Sequence, residues 1–187
     1  MPKQLQQKME HFRELVQSPE FLARKGLANE IPYFIFDYPP QQELVIRDYV
    51  RNLQERLEIS IVEINLFRLL LEFFDREAGV AALLELEANE GTKELFAAIE
   101  PILEDDGLVQ IIAAMGQNAD VVFLTGVGSV YPIVRSHTVL NRLQHFLVGV
   151  PVVMFYPGVY DGSEFRLFGL SKDDNYYRAF RIVPESI

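Results

Sequence analysis

Residues 121–143 read VVFLTGVGSVYPIVRSHTVLNRL and predict three consecutive elements of secondary structure. The first four residues are apolar, Gly126 and Gly128 follow shortly after, and beyond Pro132 apolar residues recur at helical spacing. This order is typical of a buried parallel strand, a glycine-bearing turn and a helix. We expect the helix to begin near Pro132, because proline suits the first helical turn. The backbone amides of such a turn can bind an anion.

Other segments repeat the alternation of strands and helices. Apolar runs at residues 31–38, 59–66 and 151–156 predict buried strands, and residues 41–57 predict an amphipathic helix. The remaining predicted elements are a helical segment at residues 1–28, a loop at 157–162, a terminal edge strand at 165–170, and a final strand or irregular cover at 175–183. The predicted fold class is therefore α/β, a single three-layer domain with a mainly parallel sheet flanked by helices and an N-terminal helical extension.

Residues 72–106 hold nearly all of the excess negative charge. The chain has a formal net charge of −10, and this segment alone carries 11 acidic and 2 basic side chains. The composition of residues 67–103, which overlap most of this segment, predicts two or three helices, divided at Gly79, at the turn of residues 89–91 and at Pro101. The acidic run is either a solvated helical face or a docking face for a basic partner surface.

Composition also bounds the compartment and the class of partner. Cysteine is absent from the 187 residues, which excludes disulfides and thiolate metal sites and fits a reducing compartment. The polar N-terminus and the interrupted apolar run at residues 59–74 lead us to expect a cytoplasmic protein without a membrane segment. Because DNA binding needs clustered Lys and Arg, it would require a local patch of Arg166, Arg178 and Arg181 to act alone.

The carboxyl ends of parallel strands are where open α/β sheets bind their ligands. The polar and turn residues at these ends and early in the following helix form the candidate ligand or partner site: Asp37, Asn65, Gly126, Gly128, Ser129, Arg135, His137, Tyr160 and Asp161. One interpretation is a pocket for a small anion or a nucleotide. The other is that these residues only form turns and caps, since strand ends require Asn, Asp and Gly in any case.

The sequence lacks the signatures of nucleotide hydrolysis and of nucleophilic catalysis. A P-loop needs a lysine after its glycines, and residues 126–132 contain none. The dinucleotide pattern would place its third glycine at Tyr131, where a large ring opposes close packing. No G-x-S-x-G elbow is present, and His11, His137 and His145 do not form a metal-ligand set. We therefore expect no catalytic residue, no metal and no cofactor.

Tyrosine and arginine give a separate signal. Partner interfaces favour both residue types, whereas aromatic residues with a hydroxyl group also pack in cores. The aromatic residues concerned are Tyr33, Phe34, Phe36, Tyr38, Tyr131, Tyr156, Tyr160, Tyr176 and Tyr177, and the arginines are Arg135, Arg166, Arg178 and Arg181. Both interpretations, interface and core, stay open at this point.

Several blocks of sequence together resemble one protein family. They read FIFDYPPQQE, VEINLF, LTGVGSVYPIVRSHTVLNRLQ, VVMFYPGVYDG, LFGL and DNYYRAF, in this order along the chain. Their order and composition are similar to BrxB, a small component of the BREX bacteriophage-exclusion systems of bacteria and archaea. The similarity extends over most of the chain from the first predicted strand onwards.

The resemblance implies work in a multi-gene defence system beside a DNA methyltransferase, a large AAA+ ATPase and an alkaline-phosphatase-like protein. It implies a role in assembly or regulation and supplies no catalytic residues. Our main hypothesis is a non-enzymatic interaction subunit of a phage-defence complex. The alkaline-phosphatase-like component is its first expected partner and the AAA+ ATPase its second. The alternative hypothesis is a degenerate nucleotide- or phosphate-binding regulatory domain that uses the turn at residues 126–135.

Overall fold

A parallel sheet forms the centre of the computed structural model, which describes residues 2–23, 33–162, 164–169, 171–173 and 179–183. Within these ranges the strands are β1 (Tyr33–Tyr38), β2 (Ile61–Asn65), β3 (Val121–Thr125), β4 (Val152–Tyr160), β5 (Phe165–Leu167), β6 (Ser171–Asp173) and β7 (Phe180–Arg181). Parallel pairing gives the order β2-β3-β4-β1-β7, and β5 and β6 continue antiparallel from the far end of β4. The predicted α/β class with a mainly parallel sheet is confirmed.

Helices cover both faces of this sheet. They are α1 (Lys3–Val16), α2 (Pro19–Leu22), α3 (Glu43–Arg56), α4 (Leu66–Glu77), α5 (Val80–Glu90), α6 (Thr92–Glu104), α7 (Gly107–Gly116), α8 (Val127–Val130) and α9 (Ser136–Leu143). Buried residues of α1, α2 and α3 form one core layer with one face of the strands. Those of α4, α6, α7, α8 and α9 form a second layer on the opposite face. In the described ranges, no helix combines the length and apolar character needed to cross a bilayer.

The first core layer is built around Phe12 of α1. Its ring lies 5.1 Å from that of Phe36 and 5.8 Å from those of Phe123 and Phe155, so it touches three adjacent strands. A fully buried phenylalanine stabilises a fold by about 1.5–3 kcal/mol relative to an exposed one. The N-terminal helix is therefore bound to the sheet by a continuous aromatic cluster.

The structure corrects the predicted helix after β3. The chain forms the single turn of α8 directly after Gly126, and α9 begins only at Ser136, instead of one helix from Pro132. Tyr131 is extended, with φ −73° and ψ 138°, because the ring of Pro132 disfavours helical geometry in the residue before it. The proline that suggested a helix start therefore lies in an irregular segment between two helices.

The predicted loop at residues 157–162 is wrong for its first four residues. β4 continues through Tyr160, because Gly158, Val159 and Tyr160 pair with β5. A Cβ atom on Gly158 would lie 2.2 Å from the carbonyl oxygen of Arg166, so this glycine permits the close approach of the two strands. The predicted terminal edge strand is β5, which lies between β4 and β6 and not at the end of the sheet.

Residues 67–103, for which two or three helices were predicted, belong to three helices. Gly79 and Gly91, both with positive φ, separate α4 from α5 and α5 from α6. Pro101 was also expected to divide the segment, but it lies inside α6. Its side chain is on the exposed side of the helix, which therefore continues at the loss of one backbone hydrogen bond.

Most of the aromatic residues considered for an interface are instead buried in the core. Tyr33, Tyr38, Tyr156 and Tyr160 are buried and Phe36 is fully enclosed, so the core interpretation holds for them. The remaining members differ: Tyr131 is exposed, Phe34 is half-buried, and Tyr176, Tyr177 and Arg178 lie outside the described residues. The buried tyrosines at the strand ends therefore do not form an exposed interface.

Candidate functional site

Asp37 is the centre of a charged cluster at the carboxyl end of β1. Its Oδ1 accepts hydrogen bonds from Nζ of Lys8 in α1 and, at 3.2 Å, from Nε of Arg181 in β7. Its Oδ2 accepts from Nη2 of Arg181 at 2.7 Å and from the backbone amide of Tyr160 at 3.3 Å. Nζ of Lys8 also donates to the backbone carbonyl of Asp37 at 2.6 Å, and the same nitrogen lies 4.9 Å from the centre of the Phe36 ring. The cluster thus joins α1, β1, β4 and β7.

The electrostatics of this cluster keep Asp37 ionised. The side chain is only 4% exposed, and burial by itself would raise the pKa of Asp37. The charges and hydrogen bonds of Lys8 and Arg181 outweigh that penalty and hold the pKa of Asp37 below its ordinary value. One buried carboxylate therefore holds two cations in fixed positions.

A pocket of about 580 Å³ lies beside the cluster. Lys8, Asp37 and Arg181 line it on one side. Its other walls come from the N-terminal helix, the Pro39–Pro40 exit of β1, the far end of β4 and the β5–β6 connection: Leu5, Pro39, Pro40, Val159 and Phe168. The pocket thus combines fixed charges with apolar walls, which is the usual composition of a small-molecule site.

Asn65 and Gly126 meet at the ends of β2 and β3, and their contact is structural. Oδ1 of Asn65 accepts a hydrogen bond from the amide of Arg68 at 3.2 Å and so caps α4. Gly126 has φ +71°, and a Cβ atom there would lie 2.7 Å from the same oxygen. Nearby, the Thr125 hydroxyl donates to Oε1 of Glu63 at 2.7 Å, which links the same two strands.

Gly128 and Ser129 belong to the single turn of α8. A Cβ atom on Gly128 would lie 2.9 Å from the ring of Phe168 and 3.0 Å from Pro157, so the β5–β6 connection packs directly on this glycine. The amide of Ser129 donates to the carbonyl of Gly126 at 3.0 Å. The cavity beside this turn has about 10 Å³, enough for about one water molecule and too little for a phosphate.

Arg135 and His137 lie apart from the Asp37 cluster. Arg135 is exposed and lines a second groove, of about 440 Å³, between α6 and the segment before α9. Apolar residues of both elements line this groove, among them Phe96, Leu103 and Ile133. His137 is buried in the first turn of α9.

Tyr160 and Asp161 have separate roles at the end of β4. The Tyr160 hydroxyl lies 2.8 Å from the carbonyl of Ala179 and 3.0 Å from that of Gly162, and its ring stacks on Phe165 at 4.6 Å. Asp161 is exposed and accepts from the amide of Glu164 at 2.9 Å, as turn residues do. Of the nine candidate residues, Asp37 and Tyr160 are therefore the pair that the fold brings to the charged cluster.

No pattern in the sequence pointed directly to Lys8 as a member of this site. The usable signal was Asp37 itself, because a carboxylate in a buried strand requires a cation or several donors. That requirement does not say which of the chain's basic residues supplies them. Among the described residues, no group of three or more His, Asp or Glu is arranged to hold a metal ion.

Comparison with known proteins decides the family. The family model described as "BREX protein BrxB" matches residues 62–182. A BREX protein BrxB from Bacillus cereus (strain H3081.97) is 39% identical over 98% of this chain and 100% of its own length. The chain belongs to the BrxB family. A second BrxB, from Escherichia coli O9:H4 (strain HS), is 31% identical over 97% of this chain and 93% of its own. No solved structure matches the chain.

Family membership confirms the resemblance seen in the sequence and gives the broad biological setting. BrxB proteins belong to BREX systems, which fits a role in anti-phage defence. The family-model match begins at β2, so Lys8 and Asp37 lie before it and Arg181 lies at its end. The two relatives, by contrast, align with nearly the whole chain.

Proposed function

We propose that this BrxB-family chain is a non-enzymatic interaction and assembly subunit of a BREX defence complex. The observation that carries the proposal is the surface formed by α5 and α6, which we call the acidic hairpin. The first proposed partner is the alkaline-phosphatase-like component of the system, and the AAA+ ATPase is the second.

The acidic hairpin is a helical pair with little burial of its own. In α5, which covers Val80–Glu90, no residue is buried, and in α6 only Ile99 is. The half-buried Leu83 and Leu95 attach the hairpin to the core layer beneath it. Isolated helices of this length are marginal in water, so a stable helix without buried residues indicates a surface shaped for a further contact.

The outer side of the hairpin has the composition of an interface. Leu84 is 60% exposed, Phe96 is exposed where it lines the groove beside α9, and four glutamates of the two helices are exposed as well: Glu85, Glu90, Glu94 and Glu100. Interfaces commonly have an apolar centre and a charged rim. A partner with a basic surface around an apolar pocket fits this pattern, and opposite charges would speed its encounter with the hairpin.

The hairpin is held in place by the body of the domain. Nη1 of Arg142 in α9 donates to the carbonyls of Leu103 and Glu104, at 2.9 and 3.0 Å, in the last turn of α6. A cation at this end of a helix also complements the helix dipole. A partner that binds the hairpin therefore meets a fixed surface and loses little free energy in ordering it.

The strand-end side chains support a non-enzymatic role. Asn65 caps a helix, Gly126 and Gly128 accommodate close contacts, and Asp161 forms a turn. These are structural uses of residues that, in an α/β enzyme, would be the first candidates for catalysis.

Co-expression with each of the other BREX components tests the proposal. We expect the chain to co-purify with the alkaline-phosphatase-like component. The variant Glu85→Lys/Glu90→Lys should weaken the association, whereas Glu55→Lys/Glu58→Lys, which makes the same charge change beside α3 on the other face of the sheet, should not. If the chain associates stably with none of the other BREX components, the proposal is overturned.

A further inference from the structure

One long side of β2 has no neighbouring strand within the described ranges. β2 is the terminal strand of the order β2-β3-β4-β1-β7, and β3 is its partner in the sheet. We propose that this edge pairs with the same edge of a second copy of the chain, antiparallel to it, so that the two sheets join across a twofold axis. This inference uses no residue of the acidic hairpin and goes beyond the function proposed above.

The hydrogen bonds to β3 determine which groups of β2 point outward. The amide of Val121 donates to the carbonyl of Ser60 at 3.3 Å, and the register partner of Val121 is Ile61. In a parallel ladder of this phase, Val121 bonds the residues on either side of its partner, so Ile61 turns its own N–H and C=O away from β3. Strand residues alternate in this respect, so Glu63 does the same. Both residues therefore offer a donor and an acceptor to a further strand.

The devices that usually protect a terminal strand are missing from β2. Lysine, proline or a bulge commonly prevents such an edge from pairing. The sequence IVEIN contains neither lysine nor proline, and all five residues pair with β3 in unbroken register. Its charged residue, Glu63, accepts a hydrogen bond from the Thr125 hydroxyl of β3, which holds the carboxylate on the β3 side. Ile61 and Val62 are only half-buried, so the edge is accessible.

The distribution of charge favours a second copy as the occupant. Two chains of net charge −10 repel each other, so self-association requires a surface with little charge, and α7, which contacts β2, has no charged residue. Antiparallel pairing also brings the start of one β2 beside the end of the other. Glu58 lies shortly before β2 and Arg68 shortly after it, both exposed and without an ion-pair partner among the described residues. Each end of the paired edge thus brings together opposite charges from the two copies.

Side-chain chemistry selects the register of the two strands. An axis at Glu63 would place two glutamates directly opposite each other, which is destabilising. An axis at Ile61 would pair Glu63 with Ile59, which lies outside the strand. An axis at Val62 pairs Ile61 of each copy with Glu63 of the other, uses every outward group of both residues, and sets two β-branched side chains opposite each other. We therefore place the axis at Val62.

Sedimentation equilibrium tests the self-association. At about 100 µM we expect a mass approaching twice the 21.5 kDa of one chain, because a short edge gives an interface of the small, reversible class. Ile61→Pro removes an outward N–H that β3 does not use, and it should weaken the dimer by about tenfold or more. Ile61→Val keeps that donor and should not weaken it. Glu85→Lys/Glu90→Lys changes only the acidic hairpin and should leave self-association unchanged, so this inference and the proposed function can fail separately.

Disulfide cross-linking tests the register. The chain contains no cysteine, so a single introduced cysteine reports on one position. Residues opposed in a non-hydrogen-bonded antiparallel pair have Cα atoms about 4.5 Å apart, which a disulfide can bridge. Val62→Cys should therefore cross-link two copies under mild oxidation. Ile61→Cys, which is also half-buried but is displaced along the strand from its counterpart, should cross-link more slowly by about tenfold or more.

Thermal unfolding of each variant establishes that it is folded, and Val62→Cys keeps the test decisive if Ile61→Pro does not fold. A wild-type chain that remains monomeric at this concentration would overturn the inference. A dimer that persists in folded Ile61→Pro, or equal cross-linking at residues 61 and 62, would also overturn it. The same holds if Val62→Cys, co-expressed with the other BREX components, cross-links to one of them in place of a second copy.

Discussion

The guanidinium of Arg181 bonds to both carboxylate oxygens of Asp37, at 3.2 and 2.7 Å, across 144 residues of sequence. Phe34 and Ile35 of β1 pair with Phe180 and Arg181 of β7. This register determines the position along β1 from which the arginine side chain reaches the Asp37 carboxylate. Together with the contact from Lys8, this bond ties α1 and β7 to β1, an internal strand of the sheet. The same three side chains also line the pocket beside the cluster.

Replacement of Asp37 by Asn should destabilise the fold strongly. The change removes the carboxylate charge that Lys8 and Arg181 both contact, and loss of one partner from a buried ion pair costs about 3–5 kcal/mol. Because both cations retain some exposure, we expect a loss of about 2–4 kcal/mol in the free energy of unfolding, measured by urea titration at pH 7.

The control for this prediction is Asp161→Asn. Asp161 is exposed and lies 3.9 Å from Nη2 of Arg166, an ion pair that water screens. Exposed pairs contribute about 0–1 kcal/mol, so this variant should be within about 1 kcal/mol of the wild type. Equal destabilisation by the two substitutions would contradict the structural role assigned to Asp37.

The pH dependence of stability should report the same carboxylate. Because the pKa of Asp37 is lower in the folded than in the unfolded chain, the stability that it contributes is complete above the unfolded value of about 4. It is lost as the pH falls further, through the folded pKa. The difference in unfolding free energy between wild type and Asp37→Asn should therefore be constant from pH 7 to 5 and should shrink below about pH 4. A difference that is unchanged at pH 3 would refute this assignment.

The sequence was sufficient to predict the architecture, but it predicted the candidate site only in part. Apolar runs and amphipathic periods depend on local burial, so β1, β3 and α3 were predicted within a few residues. The extension of β4 could not be predicted, because Pro157 and Gly158 are turn formers unless a partner strand accommodates them. The pairing of Lys8 with Asp37 depends on how α1 crosses the sheet, and no local pattern records that crossing.

Asn65 should be replaceable by Asp but not by Ala. Its side-chain oxygen caps α4, and loss of such a cap costs about 1 kcal/mol, while an aspartate retains the acceptor. Urea unfolding should show Asn65→Ala destabilised by about 1 kcal/mol and Asn65→Asp close to wild type. If Asp is as destabilising as Ala, then the amide group of Asn65, and not its oxygen, is the group that matters.

Gly128 and Phe168 should be energetically coupled. A Cβ atom on Gly128 would lie 2.9 Å from the Phe168 ring, so Gly128→Ala should destabilise the protein by about 1–3 kcal/mol through overpacking. Phe168→Gly removes the ring and also suits the positive φ at that position. In a double-mutant cycle, the combined variant should be more stable than the sum of the single effects predicts, by at least about 0.5 kcal/mol. Simple additivity would show that the ring is not what restricts this glycine.

The acidic hairpin should give the partner association a characteristic dependence on salt. Residues 80–104, which form the hairpin, carry six acidic side chains and one basic side chain, a net charge of −5, so electrostatic attraction to a basic partner should raise the association rate at low ionic strength. In surface plasmon resonance with the alkaline-phosphatase-like component, the association rate should fall at least tenfold between about 30 mM and 300 mM salt, while the dissociation rate changes less.

Two variants separate the charged rim of the hairpin from its apolar centre. Glu85→Lys/Glu90→Lys should lower the association rate and flatten its dependence on salt, because rim charges act mainly on encounter. Leu84→Gln, which removes an exposed apolar side chain without adding charge, should instead raise the dissociation rate, because apolar contacts at the centre of an interface stabilise the formed complex. If both variants alter the same rate constant to the same extent, the hairpin does not bind its partner with an apolar centre and a charged rim.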